Sequence, residues 1–100
     1  MATLTLLVRA YCHLCDDMQE ALDPLARAHG ASVDVIDVDA PENAALEAEW
    51  GEQVPALFAG AVGAKAFLCR YHLDVERVAR ALDALRRAPT GGRVPSQNPL

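Results

Sequence analysis

Residues 3–9 read TLTLLVR, with threonine alternating with leucine before apolar residues run together. Alternation at period two predicts a strand buried over most of one face. Beyond residue 12 the period changes. Leu14, Met18, Ala21, Leu22 and Leu25 recur at three- and four-residue spacing, which is one face of an amphipathic helix. Gly30 suits the left-handed residue that closes such a helix. Pro24 falls inside the run, so the pattern predicts a kink or an early end there. Residues 32–38, SVDVIDV, are rich in β-branched side chains and predict a second strand. Pro41 then opens ENAALEAEW, a run of good helix formers up to Gly51. Two short strand-like runs, residues 54–59 and 64–70, flank GAVG and predict a hairpin. Val75, Val78, Leu82 and Leu85 mark a third helix, with Asp74 placed to cap it. From Pro89 the text PTGGRVPSQNPL has no apolar period, so residues 89–100 are expected to form a flexible tail beyond a domain of residues 1–88.

The predicted order is β-α-β-α-β-β-α. The first two strands are joined by a helix long enough for a parallel, right-handed crossover, and the later pair is a hairpin. A four-stranded mixed sheet with helices on both faces, an α/β domain, follows.

Composition and charge narrow this picture further. One hundred residues make one domain with one modest core. Aromatic residues are only 5% of a chain that is 52% hydrophobic, so that core is aliphatic. No apolar run approaches the ~20 residues of a membrane helix, and the N-terminus lacks the pattern of a secretory signal; a cytoplasmic location and no membrane partner are expected. The formal net charge of −5 argues against nucleic acid as a partner. It is unevenly spread. Residues 1–60 hold eleven acids against two bases, and residues 61–100 three acids against seven bases. Solvated helix faces account for that split; a docking surface for a charged partner is the other reading.

The candidate chemistry lies in residues 9–17, RAYCHLCDD. In a chain without an export signal, a C-x-x-C pair points to redox chemistry or metal rather than to a disulfide scaffold. Cys12 falls at the end of the first strand and the mouth of the first helix. Unpaired N–H groups of the first helical turn, together with the macrodipole, favour a negative charge there, so a Cys12 thiolate is expected to be stabilised. Cys15, one turn further in, is shielded yet within reach. These positions make Cys12 the attacking thiolate and Cys15 the resolving thiol. Arg9 and a protonated His13 would support the thiolate, while Asp16 and Asp17 oppose it.

With RAYCHLC, VIDVD ending the second strand, VPALF beginning the third and the short last helix, the chain resembles the glutaredoxin-like branch of the thioredoxin superfamily over residues 3–88. The small bacterial proteins with C-H-L-C or a close variant are most similar. The resemblance implies a thioredoxin-like fold and thiol–disulfide oxidoreductase activity on protein or glutathione mixed disulfides. It also implies a cis Pro55 facing the cysteines, with Val54 and Pro55 holding the substrate near Arg9 and Tyr11. No metal or organic cofactor is required on this reading; glutathione enters as a co-substrate, and a glutathione or thioredoxin-type system as reductant. The protein is expected to be a monomer. Three features depart from the family pattern. Tyr71 and His72 stand where glutathione-using members have a Gly-Gly pair, His13 replaces the usual proline, and the first strand lacks the buried acid of thioredoxins.

The alternative is a non-catalytic binding module, with Cys12, Cys15, Cys69 and His72 as a three-sulfur, one-nitrogen metal set. Against it, Cys69 is expected to be a small buried residue of the fourth strand, on the side shared by Phe67 and Tyr71. Trp50 reads as core or rim packing, His29 as a contact with a helix dipole, and Arg77, Arg80 and Arg87 as a solvated face.

Overall fold

The structure, a computed structural model, describes residues 2–87; the expected tail, residues 89–100, lies outside them. Strand β1 (Thr3–Val8) leads into helix α1 (His13–Ala28) and strand β2 (Ser32–Asp37). Helix α2 (Ala44–Trp50) is flanked by 3-10 turns at Pro41–Asn43 and Gly51–Gln53. Strand β3 (Ala56–Ala59), a 3-10 turn at Ala64–Ala66, strand β4 (Phe67–Arg70) and helix α3 (Val75–Arg87) complete the order.

The four strands form one sheet in the order β2-β1-β3-β4. β1 and β2 are parallel, in register from Thr3 opposite Ser32 to Val8 opposite Asp37. α1 is the crossover between them. β1 pairs antiparallel with β3, and β3 with β4, so the second pair is a hairpin. Alternation along β1 splits the core. Leu4 and Leu6 pack with Met18, Leu22, Leu57, Val78 and Leu82, so α1 and α3 cover one face. Leu7 packs with Val38, Trp50, Ala56 and Phe58 on the other, the side of α2. Trp50 belongs to this core, edge-on to Phe58 at 4.9 Å and stacked on Phe67 at 5.9 Å. Thr5, on a buried strand, satisfies its hydroxyl by donating to the Gly60 carbonyl at 2.6 Å.

Four local features differ from the sequence pattern. α1 runs through Pro24 without ending; the ring removes the bond to the Glu20 carbonyl, but both residues lie on the solvent-exposed side of the helix, where that loss costs least. The run after Pro41 is one short α-helix between two 3-10 turns instead of one longer helix. His29 does more than meet a helix dipole. As C-cap of α1 its ring bonds the Leu25 carbonyl at 3.0 Å through Nδ1, and Nε2 lies 3.6 Å from Asp83 of α3.

The fourth concerns β4. Leu57 pairs with Cys69, whereas Phe58 pairs with Phe67, so the register shifts at Leu68. A bulge places two consecutive residues on one side. Leu68 and Cys69 therefore both join the core beneath α1 and α3, and Phe67 joins the opposite face. Simple alternation would have put Cys69 and Phe67 together; the extra residue reverses that.

Candidate active site

The C-terminal end of β1 is where the chain must change from extended to helical, and residues 9–12 make that turn. Tyr11 is fully exposed and holds φ at +58°. A left-handed conformation costs a non-glycine residue roughly 1–2 kcal/mol, so the rest of the loop must hold it. Cys12 follows in extended conformation, φ −111° and ψ 102°, as the N-cap of α1. Its Sγ accepts a hydrogen bond from the Cys15 N–H at 3.1 Å, and its carbonyl accepts from the Asp16 N–H, also at 3.1 Å. One of the orphan donors of the first turn is thus aimed at sulfur.

Cys12 and Cys15 are joined as a disulfide, with Cα atoms 5.2 Å apart, inside the ordinary range for such bridges. The two sulfurs differ in access. Cys12 is half-buried and Cys15 is 2% exposed. A reagent arriving from solvent therefore meets Cys12 first.

The antiparallel register, Leu7 opposite Ala56, puts the start of β3 at the same end of the sheet. The Val54–Pro55 peptide there is cis. Pro55 is buried, and its carbonyl accepts from the Tyr71 N–H at 2.8 Å, which ties the β4 exit to the same spot. Tyr71 has φ at +66°, a position that favours glycine. Its hydroxyl donates to the Glu52 carbonyl at 3.0 Å, anchoring a side chain where a smaller residue would have had none. His72 is exposed in the following turn, and His13 is exposed beside the disulfide.

Arg9 has contacts that its position in the sequence did not show. Its guanidinium donates to Asp39 at 2.9 and 3.2 Å and to Glu47 at 3.3 Å. The Asp39 hydrogen bond raises the Arg9 pKa above its ordinary value. These contacts pin the loop ahead of Cys12 to the end of β2 and to α2. The sequence marked Asp39 as the end of VIDVD but not as a partner of Arg9, and it did not mark Glu47; the surplus of acids in residues 1–60 was the signal available. Glu47, Glu49, Glu52, Gln53 and Tyr71 also line a groove of about 500 Å³ next to the Val54–Pro55 turn.

The metal set does not assemble. Among the described residues no group of three or more His, Cys, Asp or Glu side chains is placed to hold a metal ion. The reason is the bulge in β4, which buries Cys69 among Leu57, Val78 and Leu82 while His72 faces solvent. Burial also pushes the Cys69 thiol pKa up. No helix among the described residues is long and apolar enough to cross a membrane.

Protein Ne2328 from Nitrosomonas europaea, solved in solution by NMR, is similar in structure: TM-score 0.65 and 32% identity over 79% of this chain and 88% of that one. A target protein from X. campestris, XcR50, gives TM-score 0.54 and 33% identity over 81% and 96%. A thioredoxin from Trichomonas vaginalis, at 22% identity and TM-score 0.58 over 84% and 78%, shares the fold. No curated protein sequence matches the chain. The profile of the glutaredoxin-like domain (DUF836) matches residues 3–83, and with its four-stranded mixed sheet, its thioredoxin-like fold and its disulfide at the mouth of α1 the chain belongs to that glutaredoxin-like family.

Proposed function

We propose that this protein is a thiol–disulfide oxidoreductase working through Cys12 and Cys15. The observation that carries the proposal is the inequality of the two sulfurs at one helix mouth: Cys12 accessible and capped by an N–H, Cys15 buried directly behind it. In the reduced protein the Cys12 thiolate attacks one sulfur of a substrate disulfide. The substrate S–S bond breaks, a Cys12–substrate disulfide forms, and the first substrate thiolate leaves and takes a proton from water. Cys15 then gives up its proton, and its thiolate attacks the Cys12 sulfur. The intramolecular disulfide closes and the second substrate thiol departs. Two electrons have passed from the protein to the substrate, and an external dithiol or glutathione restores the reduced pair.

The N–H of Cys15 supports the step by favouring a negative sulfur at residue 12. Val54 and Pro55 lie at the same end of the sheet and would align an extended substrate, with Tyr11 beside the reacting sulfur. Arg9, held by Asp39 and Glu47, would act by fixing the loop that carries Tyr11 and Cys12. Redox titration of the purified protein tests the proposal. One two-electron couple is expected, absent in Cys12→Ser, and Cys15→Ser should accumulate a mixed disulfide through Cys12. Turnover that survives Cys12→Ser, or trapping at Cys69, would overturn it.

A further inference from the structure

Around the disulfide the exposed surface is both apolar and acidic: Tyr11 and Leu14 stand beside Cys12, and Asp16 and Asp17 are exposed in the first turn of α1. Of the six large hydrophobic side chains exposed among the described residues, Tyr11 and Leu14 flank Cys12 in sequence and Tyr71 hydrogen-bonds Pro55 through its backbone. Exposed apolar side chains near a reactive centre mark a contact for another molecule. The groove beside it carries Glu47, Glu49 and Glu52. On the far side of the sheet, along α1 and β2, a second groove of about 590 Å³ carries Asp16, Glu20 and Asp23.

Arg9 and Arg70 are placed at this end of the sheet. Arg9 has two carboxylates of its own. Arg70 donates to the neutral Gln53 at 3.0 Å and lies 5.8 Å from the centre of the Tyr71 ring, with no salt bridge among the described residues, so its charge stands against the acids of the groove. Glu49 and Glu52 have no salt bridge among the described residues. Glu49 and Glu52 outnumber Arg70 beside Tyr71, so a ligand reaching Cys12 past it meets a net negative charge. Glutathione disulfide, which carries two carboxylates and one ammonium in each half, has the wrong sign for it.

We propose that the substrates of this site are disulfides in basic, extended protein segments: an apolar neighbour of the substrate cysteine packs on Tyr11, Leu14 and Tyr71, and a flanking Lys or Arg meets Glu49 and Glu52. This inference rests on the oxidoreductase reading and adds the substrate class to it. Charge complementarity at a cleft raises association rates by about 10- to 1000-fold and is lost with added salt.

The test uses the full chain, reduced with a dithiol and freed of it. Its second-order rate of exchange is measured with glutathione disulfide and three synthetic peptide disulfides of equal length. In the peptides the cysteine is flanked by leucine and by lysine, glutamine or glutamate. At about 0.01 M ionic strength, where the screening length is about 30 Å, the lysine peptide should react about tenfold faster than the glutamate peptide. At about 1 M, where that length is about 3 Å, the preference should largely vanish. E49Q/E52Q should lose most of the preference at low salt. Equal rates for the three peptides at low salt, a preference insensitive to salt, or an undiminished preference in E49Q/E52Q would overturn the inference while leaving the oxidoreductase intact. Failure to exchange with all four disulfides would instead overturn the oxidoreductase reading, and this inference with it.

Discussion

Replacing Cys12 by serine and, separately, by alanine isolates the hydrogen bond on which the chemistry leans. Both variants abolish the Cys12–Cys15 disulfide, so its contribution cancels between them. What differs is the N-cap. In the native protein the Cys15 N–H points at Cys12 Sγ from 3.1 Å. Serine keeps an acceptor at that position and is among the preferred N-cap residues; alanine leaves the donor without a protein partner. Loss of an N-cap acceptor costs about 0.5–2 kcal/mol, typically ~1 kcal/mol. For a domain of this size ~1 kcal/mol corresponds to a melting-point shift of about 4–8 °C. Cys12→Ala should therefore melt about 4–8 °C below Cys12→Ser, followed by circular dichroism under reducing conditions, and both should be inert in disulfide exchange. Equal melting points, or a more stable alanine variant, would show that residue 12 does not cap α1. The same donor could then not be invoked to favour a Cys12 thiolate, and the inequality between the two sulfurs would rest on access alone.

Three further outcomes follow from the rest of the molecule. Burial raises the Cys69 thiol pKa above the ordinary 9.0, so the folded state holds this proton more tightly than the unfolded chain. Stability from that difference is present below pH 9 and falls as pH rises through the folded-state value; denaturant midpoints measured upward from pH 8 should fall more steeply for the native protein than for Cys69→Ala, and parallel slopes would contradict this. Arg9→Met removes a partly exposed ion-pair set worth up to about 1 kcal/mol, so urea unfolding should show a small loss at low salt that shrinks in high salt; a loss independent of salt would point to packing instead. Leu82→Ala empties a fully buried position shared by α3 and the sheet, and should lower unfolding stability by about 2–5 kcal/mol; a change below 1 kcal/mol would mean that α3 is not part of the same cooperative core.

What could be read from the sequence, and what could not, divides along the range of the interactions concerned. The two parallel strands were written in local alternation. α1 was written in helical spacing, and Asp74 does cap α3, accepting from the Arg77 N–H at 3.1 Å. The position of Cys12 at the mouth of α1 was legible for the same reason, because a strand ending four residues before a helix leaves one place for the cap. Features set by partners distant in sequence were hidden. Period-two counting along β4 assumes an unbroken ladder, and nothing in FLCR announces the extra residue opposite Leu57 and Phe58. That one residue decides whether Cys69 faces α3 or Trp50, and so removes it from any metal set. Likewise a basic residue ahead of a reactive cysteine suggests a partner for the thiolate, but Arg9 meets Asp39 thirty residues on and Glu47 thirty-eight residues on. With the positive charge so engaged, the contact that favours a negative sulfur at Cys12 is the Cys15 N–H at 3.1 Å, with His13 exposed beside it. The proposed choice of substrate then falls to the acidic and apolar side chains around it.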